Sequence, residues 1–371
     1  MPDYTALHVC LPSYDNLGDR LGMAAAAPLF SEHNLHLTLT TVDIRELVSQ
    51  NATLDDQIDR INQTYDMMII GAGGYLHPLH LLPRIFGQTE SWGKLKIPLI
   101  LFGFGVVNLH ENSHYPTKFA LLSPHDDNHL QAALEAATAV SVRDVRSWYV
   151  ARRLLRRSAD KVFLTGCPTV FLAGRQKHSI DITHEFGINI PFRHALCRDH
   201  YPVLKKLAAI LIKTLRYADD QKATKPIKWL CPSDQEQADA EKLRDLLQQD
   251  FDIANPKTFE DTSREFASCR LGLVTKGHAG IFCLANRVPF AFLSYDIKCD
   301  ALVESLWDAP QDLLLYIHQL DEDNLGTTIQ PLLNRLLRLS PDLKLASDRL
   351  MDHYADELEQ YFDRIKQRLH A

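Results

Sequence analysis

The sequence predicts an α/β protein made of two Rossmann-like domains that face each other across a cleft, with a helical C-terminus. Short apolar runs typical of strands alternate with amphipathic segments typical of helices along the whole chain. The alternation restarts after a polar stretch at 174–179, and 371 residues are enough for two domains. Several of the predicted strands end in glycine or polar residues, which is where ligands bind in open parallel sheets.

Residues 1–176 form the first predicted domain. Strands are predicted at Ala6–Leu11, Leu35–Val42, Asp66–Ile70, Pro98–Phe104, Ala139–Val142 and Lys161–Thr165. Each is a short apolar run bounded by turn residues. Helices are predicted at Met23–Phe30, Asn128–Ala139 and Ser147–Arg157, where apolar residues recur at helical spacing.

Residues 177–371 form the second predicted domain and repeat the pattern. Its strands are predicted at Glu185–Ile190, Ile227–Cys231, near Phe251, at Arg270–Thr275 and at Val288–Leu293. Its helices are predicted at Tyr201–Tyr217, Asp234–Gln249, Thr258–Cys269 and Ala279–Asn286. C-terminal helices are expected within residues 327–369, as Thr327–Leu339 and Ser347–Leu369.

Composition excludes several classes of function. The net charge is −7 and no long Lys/Arg block is present, so nucleic acid is not an expected partner. The chain shows no secretory signal and no apolar run of the roughly 20 residues that span a bilayer. Its seven cysteines are scattered and form no CxxC pair. Reduced thiols and a cytoplasmic location are therefore expected.

Histidine pairs in the first half have spacings that a metal could use. They are His77 with His80 and His110 with His114. No cysteine or carboxylate completes a recognisable ligand set, and prolines interrupt both stretches. We therefore expect no metal site.

Two candidate sites in the first half follow predicted strands. Asp15-Asn-Leu-Gly-Asp19 lies before an alanine-rich helix, where Gly18 permits close approach of a ligand and Asn16 or Asp19 could contact hydroxyls. Gly71-Ala-Gly-Gly74 could direct backbone N–H groups at an anion, with Gly73 and Gly74 against the ligand. The alternatives are an ordinary helix cap and turn for the first stretch and close strand–helix packing for the second.

Arg143 ends another predicted strand, in Ser141-Val-Arg-Asp144. Its rigid guanidinium suits a carboxylate or a phosphate. The alternative is a surface ion pair with Asp144.

Lys276-Gly-His278 begins a predicted helix, and Tyr295 and Lys298 follow the next predicted strand. The N-terminus of a helix carries a partial positive charge, so cations are unfavourable there unless an anion lies between them. We therefore expect Lys276, the backbone of Gly277 and His278 to bind an anionic substrate. The helix end would also keep His278 neutral and able to exchange protons near pH 7.

The candidate sites occur in an order that resembles the polysaccharide pyruvyl transferase family. The matching segments are Asn16-Leu-Gly-Asp19, Gly71-Ala-Gly-Gly74, Val142-Arg-Asp144 with Ser147, Gly166-Cys-Pro-Thr169, and Lys276-Gly-His278 with Pro289, Tyr295-Asp296 and Lys298. Lys276 stands where the family usually has arginine, so the charge is kept and the bidentate fork is lost.

This resemblance implies a glycosyltransferase-B-like fold, phosphoenolpyruvate as the donor substrate, no further cofactor, and a saccharide acceptor that could be lipid-linked. Arg143 and Lys276 would hold the donor's anionic groups, and His278 would be the general acid and base. Asn16, Gly18, Asp19, Gly73 and Gly74 would face the acceptor. The pathway would be cell-surface polysaccharide or glycoconjugate biosynthesis.

Two other functions stay open at this point. One is a glycosyltransferase of the same fold that uses a sugar nucleotide. The other is a catalytically silent saccharide-binding homologue, which Lys276 in place of arginine would favour. The basic amphipathic helix predicted at Tyr201–Tyr217 also suggests peripheral association with the inner face of the membrane, although such a stripe more often packs on a sheet.

Overall fold

The computed structural model describes residues 3–11, 17–76, 82–106, 124–155, 158–174, 181–190, 206–207, 209–210, 225–231, 234–247, 251–320 and 323–370. These residues form two compact units. The first contains the described residues up to Thr169 and those from Asp352 onward, and the second those from Val170 to Met351. Each unit has a six-stranded sheet whose paired strands run parallel. The predicted class, with two Rossmann-like halves, is confirmed.

The first sheet has the strand order β2-β1-β3-β4-β5-β6. Its strands are β1 (Asp3–Cys10), β2 (His36–Asp43), β3 (Met67–Leu76), β4 (Leu99–Val106), β5 (Ala137–Val142) and β6 (Val162–Leu164). Every residue of β4 is buried, because an internal strand of a parallel sheet is covered on both faces. The threonine-rich edge strand β2 has no fully buried residue.

Helices connect these strands. They are α1 (Leu17–Ala24), α2 (Ala26–Glu32), α3 (Ile44–Ser49), α4 (Ile58–Thr64), α5 (Leu82–Ile85), α6 (Pro124–Ala136) and α7 (Val145–Leu155), and α8 (Thr169–Gly174) follows β6. Short 3-10 turns lie at Asp55–Gln57, Thr89–Lys94 and Ala159–Lys161. The predicted helix Met23–Phe30 is in fact the pair α1 and α2, which starts at Leu17.

The second sheet has the order β12-β11-β10-β7-β8-β9. Its strands are β7 (His184–Asn189), β8 (Lys225–Leu230), β9 (Asp252–Ala254), β10 (Cys269–Val274), β11 (Phe290–Ser294) and β12 (Leu314–Tyr316). Its helices are α9 (Asp234–Leu247), α10 (Phe259–Ala267), α11 (Gly277–Ala285) and α12 (Ile297–Leu306), with 3-10 turns at Pro310–Asp312 and Ile317–Gln319. The order of connection reverses between β7 and β10, and ligands of such sheets bind beyond the carboxyl ends of the strands at that point.

The C-terminal segment is one helix, α13 (Leu325–Leu369), with Pro331 and Pro341 inside it. The two helices predicted at Thr327–Leu339 and Ser347–Leu369 are therefore continuous, although an internal proline costs a helix about 3 kcal/mol. A continuous apolar stripe is buried along α13 and outweighs that cost; it includes Ile329, Leu332, Leu333, Leu336, Leu343, Tyr354, Leu358, Tyr361, Phe362 and Ile365.

The structure groups the end of α13 with the first unit, whereas the sequence placed it in the second domain. Tyr361 donates a hydrogen bond to the carbonyl oxygen of Leu101 at 3.2 Å, and Arg364 Nε donates one to the carbonyl oxygen of Thr138 at 2.9 Å. These long-range bonds have no signature in the local sequence pattern. The predicted boundary at 176/177 lies outside the described residues.

Among the described residues, no helix is long and apolar enough to cross a membrane. The predicted helix Tyr201–Tyr217 lies mostly outside the described ranges, although Lys206, Leu207, Ala209 and Ile210 are helical. Six cysteines of the described ranges are buried, namely Cys10, Cys167, Cys231, Cys269, Cys283 and Cys299.

Candidate functional site

The candidate site of the second unit lies at the carboxyl ends of β7, β8 and β10. The backbone N–H of Thr275 donates to the carbonyl oxygen of Asn189 at 3.0 Å. The side-chain amide of Asn189 donates to the carbonyl oxygen of Leu230 at 2.8 Å. These bonds tie the three strand ends together where the strand order reverses. The buried oxygens Thr275 Oγ1 and Asn189 Oδ1 find no hydrogen-bond partner among the described residues.

Helix α11 starts directly after this point. Lys276 is its N-cap residue with an extended backbone, and Gly277 and His278 form its first turn. All three are partly exposed, whereas every residue from Ala279 to Ala285 is buried. The helix begins two residues before its predicted start, so His278 lies within the first turn. The partial positive charge of this helix end therefore lies beside two basic side chains.

The anion nearest to Lys276 belongs to the chain itself. Lys276 Nζ donates a charge-assisted hydrogen bond to Glu236 Oε1, in the first turn of α9. The side chains are 22% and 14% exposed, respectively. Burial raises the pKa of Glu236 above its usual value, and the charge of Lys276 opposes that rise. The sequence argument, in which a substrate supplies the anion, overlooked this carboxylate.

Lys298 approaches the same helix start from α12. Its aliphatic carbons lie 3.5 Å from the position that a Cβ on Gly277 would occupy. Its Nζ lies 5.4 Å from the centre of the Tyr295 ring and 3.4 Å from Asp296 Oδ2. Asp296 caps α12 by accepting a hydrogen bond from the backbone N–H of Lys298 at 3.0 Å. The stem of Lys298 thus lies beside Gly277, and its ammonium group lies over the ring of Tyr295.

Arg143 is in the first unit, between β5 and α7, and is held by backbone and carboxylate. Its Nη2 donates to the carbonyl oxygen of Val106 at 2.7 Å, and its Nε donates to Asp144 Oδ2 at 3.3 Å. A Cβ on Gly105 would overlap the guanidinium, so the arginine lies directly on that glycine. Nη1 has no partner among the described residues.

Asp144 and Ser147 give the Arg-Asp-x-x-Ser element a structural role. Asp144 Oδ1 accepts from the backbone N–H of Ser147 at 2.8 Å and from its hydroxyl at 2.6 Å, which caps α7. The Ser147 hydroxyl oxygen accepts from the backbone N–H of Val106 at 2.9 Å. The element therefore fixes the end of β4 to the start of α7.

The stretch Gly71-Ala-Gly-Gly74 lies inside β3, which runs on to Leu76, and is not a loop after the strand. Gly71 has φ +129°, and a Cβ there would overlap the carbonyl oxygen of Phe102 in β4. The carbonyl oxygen of Gly71 is 2.5 Å from Nε2 of the buried His8. Gly71 thus permits close packing of β3 against the neighbouring strand β4, and not the strand–helix packing that the sequence suggested as the alternative. Gly73 and Gly74 remain partly exposed.

The other first-unit candidates are described only in part. Gly18 and Asp19 lie in α1 and not in a turn, and Asn16 lies outside the described residues. In the Gly-Cys-Pro-Thr turn, Gly166 has φ +75° and lies against the Tyr354 ring, which only glycine permits. The histidines His77, His80, His110 and His114 also lie outside the described residues. Within the described ranges, no group of three or more His, Cys, Asp or Glu side chains could hold a metal ion.

The family model of the polysaccharide pyruvyl transferases matches residues 16–297, well over half of the chain. The chain belongs to the polysaccharide pyruvyl transferase family. The resemblance carried by the ordered motifs is therefore confirmed. No curated protein matches this family member significantly in sequence.

Solved structures similar to this pyruvyl transferase family member include sugar-nucleotide enzymes. A putative UDP-N-acetylglucosamine 2-epimerase from Listeria monocytogenes has 12% identity and a TM-score of 0.55 over 94% of this chain and 95% of that one. The Neisseria meningitidis UDP-GlcNAc 2-epimerase bound to UDP-GlcNAc has 12% identity and a TM-score of 0.55 over 99% of both chains. The S. aureus MnaA–UDP co-structure has 13% identity and a TM-score of 0.54 over 94% and 95%. At these identities the likeness shows the glycosyltransferase-B-like fold alone.

Proposed function

We propose that this protein transfers the pyruvyl group of phosphoenolpyruvate to two hydroxyls of a saccharide, which forms a cyclic ketal in cell-surface polysaccharide or glycoconjugate biosynthesis. The observation that carries the proposal is the basic start of α11 at the switch point of the second sheet. A donor with a carboxylate and a phosphate needs both cations and free N–H groups. Membership of the family supports the same reaction class.

The reaction sets what the residues must do. One acceptor hydroxyl attacks the substituted carbon of the enol while its methylene carbon gains a proton and becomes a methyl group. Phosphate leaves, and the second hydroxyl closes the ring at the same carbon. Two hydroxyl protons are released: one balances the proton gained by the methylene carbon, and the other leaves with phosphate or a base. The enzyme must therefore move protons and stabilise negative charge on the departing phosphate.

We assign the donor to Lys276, the backbone of Gly277 and Lys298, with His278 as general acid and base. Arg143 would bind a donor anion through Nη1, the guanidinium nitrogen that the described residues leave available. The hydroxyl of Thr275, whose oxygen has no partner among the described residues, lies at the same strand ends and would donate a hydrogen bond to an anionic group of the donor.

We propose that the saccharide acceptor binds at Asn16, Gly18, Asp19, Gly73 and Gly74. We propose that Tyr295, whose ring lies under the ammonium group of Lys298, contacts the donor. The partly exposed Gly73 and Gly74 are the described members of the acceptor set. An acceptor that is lipid-linked fits this assignment as well as a free one.

The test is the melting temperature of the protein against phosphoenolpyruvate concentration, for the wild type and for Lys276→Ala and His278→Ala. A ligand at a hundred times its Kd stabilises the folded state by about 2.7 kcal/mol. Lys257→Ala is the matched control, because Lys257 also forms an ion pair with a carboxylate at the start of α9, Asp234. We expect a saturable shift in the wild type and the control, which Lys276→Ala abolishes. An unchanged melting temperature in the wild type would contradict the proposal.

A sugar-nucleotide glycosyltransferase is the second candidate, because the solved structures of similar fold were obtained with UDP or UDP-GlcNAc. UDP in place of phosphoenolpyruvate tests it in the same assay. A silent saccharide-binding homologue is tested by Lys276→Arg, which restores the bidentate fork. Transfer activity that appears only in Lys276→Arg would indicate a homologue that has lost its chemistry.

We further propose a cytoplasmic protein that associates with the inner face of the membrane. Helix α7 supports this, since Val145–Leu155 contains three arginines and no acidic residue in a chain of net charge −7. Its exposed face carries Tyr149, 57% exposed, and Arg152, whose guanidinium lies 4.4 Å from the Trp148 ring. Cosedimentation with anionic vesicles that is lost in Arg152→Gln/Arg153→Gln tests the proposal; equal sedimentation of both proteins would contradict it.

A further inference from the structure

Glu236 is placed to compete with a donor for Lys276. Its carboxylate is the described anionic partner of that lysine, and both side chains are largely buried at the carboxyl edge of the second sheet. A donor anion that binds Lys276 must share the ammonium group with Glu236 or displace it. Either event leaves two anionic groups close together where little water screens them.

Among the described residues, both basic and titratable acidic groups lie around Glu236. Lys276 faces it from the N-cap of α11, Asp239 lies one turn further along α9, and Cys231 follows β8. Beyond Lys276, the basic groups of the neighbouring helix starts are His278 and Lys298. Burial already favours the protonated carboxyl of Glu236, and Lys276 is what keeps the carboxylate form stable.

We propose that Glu236 takes up a proton from solvent when an anionic donor binds at Lys276. The carboxylate and one solvent proton become a carboxylic acid, while Lys276 keeps its ammonium charge and pairs with the donor. The neutral acid no longer repels the donor and can donate a hydrogen bond to it. This inference rests on the proposed function, because it requires a donor with negative charge at the start of α11.

The sign of the linkage follows from these charges. Glu236 has its pKa raised in the free protein, and loss of the Lys276 partner together with a nearby anion raises it further. Donor binding therefore makes Glu236 take up a proton at pH values between its pKa in the free protein and its pKa in the complex. Donor affinity contributed by this group is therefore greatest at low pH and declines as pH rises through the free value, by at most about tenfold per pH unit.

The experiment is isothermal titration calorimetry with phosphoenolpyruvate, at several pH values from 5.5 to 8.5, in buffers that differ in ionisation enthalpy. The dependence of the heat on the buffer gives the number of protons taken up per donor. Glu236→Gln is isosteric and cannot titrate. Asp234→Asn is the matched control, since Asp234 lies in the same turn of α9 but is exposed and bonded to Lys257.

We expect the wild type and Asp234→Asn to take up as much as one proton more per donor than Glu236→Gln at some pH in this range. The phosphate of the donor titrates near pH 6 and contributes equally to every variant, so the difference between variants is the readout. Equal proton numbers in the wild type and Glu236→Gln, with both binding donor, would overturn the inference and leave the proposed function intact.

Two other outcomes are also decisive. If phosphoenolpyruvate gives no binding heat with the wild type, and no melting shift, the proposed function and this inference fall together. If Glu236→Gln alone fails to bind, Glu236→Asp keeps a titratable carboxyl one methylene shorter. Proton uptake in Glu236→Asp that matches the wild type then supports the inference, and its absence rejects it.

Discussion

The two sheets use the residues at the ends of their strands in different ways. In the first unit, Gly71 permits the close approach of β4. Arg143 donates hydrogen bonds to the carbonyl oxygen of Val106 and to Asp144. In the second unit, Lys276 and Lys298 end in partly exposed ammonium groups beside the start of α11. Motif residues of similar appearance are thus largely structural in one sheet and available to a ligand in the other.

This difference teaches how to separate packing from binding at a parallel sheet edge. A residue whose replacement would collide with backbone has a structural reason to be there, whatever else it does. A charged residue with a single carboxylate partner and residual exposure keeps the ability to exchange that partner. Substitutions in the first unit should therefore alter stability most, and substitutions in the second should alter ligand binding most.

Paired glycine substitutions should show the largest contrast. Gly71→Ala must adopt φ +129° and push against the Phe102 carbonyl, so we expect it to destabilise the protein by about 3 kcal/mol or more. Gly277→Ala meets only the flexible stem of Lys298 at 3.5 Å, so its stability should stay within about 1 kcal/mol of the wild type. Urea unfolding followed by circular dichroism measures both.

The outcome that breaks the comparison is equal destabilisation by the two variants, or a Gly71→Ala protein as stable as the wild type. A Gly71→Ala protein as stable as the wild type would mean that β3 and β4 can separate at Phe102 without loss, and equal destabilisation would mean that Gly277 is packed as closely as Gly71. Gly93→Ala serves as the control for the assay, because a Cβ at Gly93 would meet no atom within 4 Å.

Much of the fold could be predicted because apolar runs directly specify buried parallel strands. β4 is buried throughout and appears in the sequence as the run Leu99–Val106. The short edge strand β12 and helix α12 were missed, because three residues of Leu314–Tyr316 give no periodicity and α12 is only weakly amphipathic. The predicted strand Asp66–Ile70 stops before the glycines, whereas β3 continues through them to Leu76. A sequence does not show which glycine permits close approach within a strand.

The site was predicted only where its features are local in the sequence. Lys276, Gly277 and His278 follow a strand and begin a helix, and both features are local. Glu236 was missed because it comes from another strand–helix unit, 40 residues earlier in the chain. One signal could have found it: an acidic residue in the first turn of the helix after β8, at the same carboxyl edge of the sheet as Lys276.

Arg143 offers a test of intermediate size. Arg143→Ala leaves the Val106 carbonyl without its 2.7 Å partner and opens space over Gly105, so we expect a loss of about 1–3 kcal/mol in the free energy of unfolding. Lys276→Ala should abolish the donor-induced melting shift. Both effects can be measured on one pair of samples by urea unfolding and thermal titration.

Arg143 also has a proposed donor contact, and a second variant separates the two roles. Arg143→Lys keeps the positive charge but has one nitrogen in place of three. That nitrogen cannot bond Val106 and Asp144 and also bind the donor. If Arg143→Lys binds donor and unfolds as the wild type does, neither the structural nor the donor role of the guanidinium holds.

His8, in β1 of the first unit, should make the free energy of unfolding depend on pH. Burial lowers the pKa of His8, whose Nε2 is 2.5 Å from the Gly71 carbonyl oxygen. The unfolded chain therefore binds the proton more readily, and the folded state loses stability as pH falls below about 6.5, by at most about 1.4 kcal/mol per pH unit. His8→Gln keeps an N–H donor but cannot titrate, so its stability should decline less between pH 7.5 and pH 5.

The readout is the slope against pH and not the stability at one pH, because Gln also changes the packing around β1. Burial lowers the pKa of His33 as well, but His33 is present in both proteins and its contribution cancels in the difference. Identical slopes in the wild type and His8→Gln would mean that His8 is protonated as easily in the folded state as in the unfolded one. The assignment of His8 as a buried imidazole that bonds the Gly71 carbonyl oxygen would then have to be abandoned.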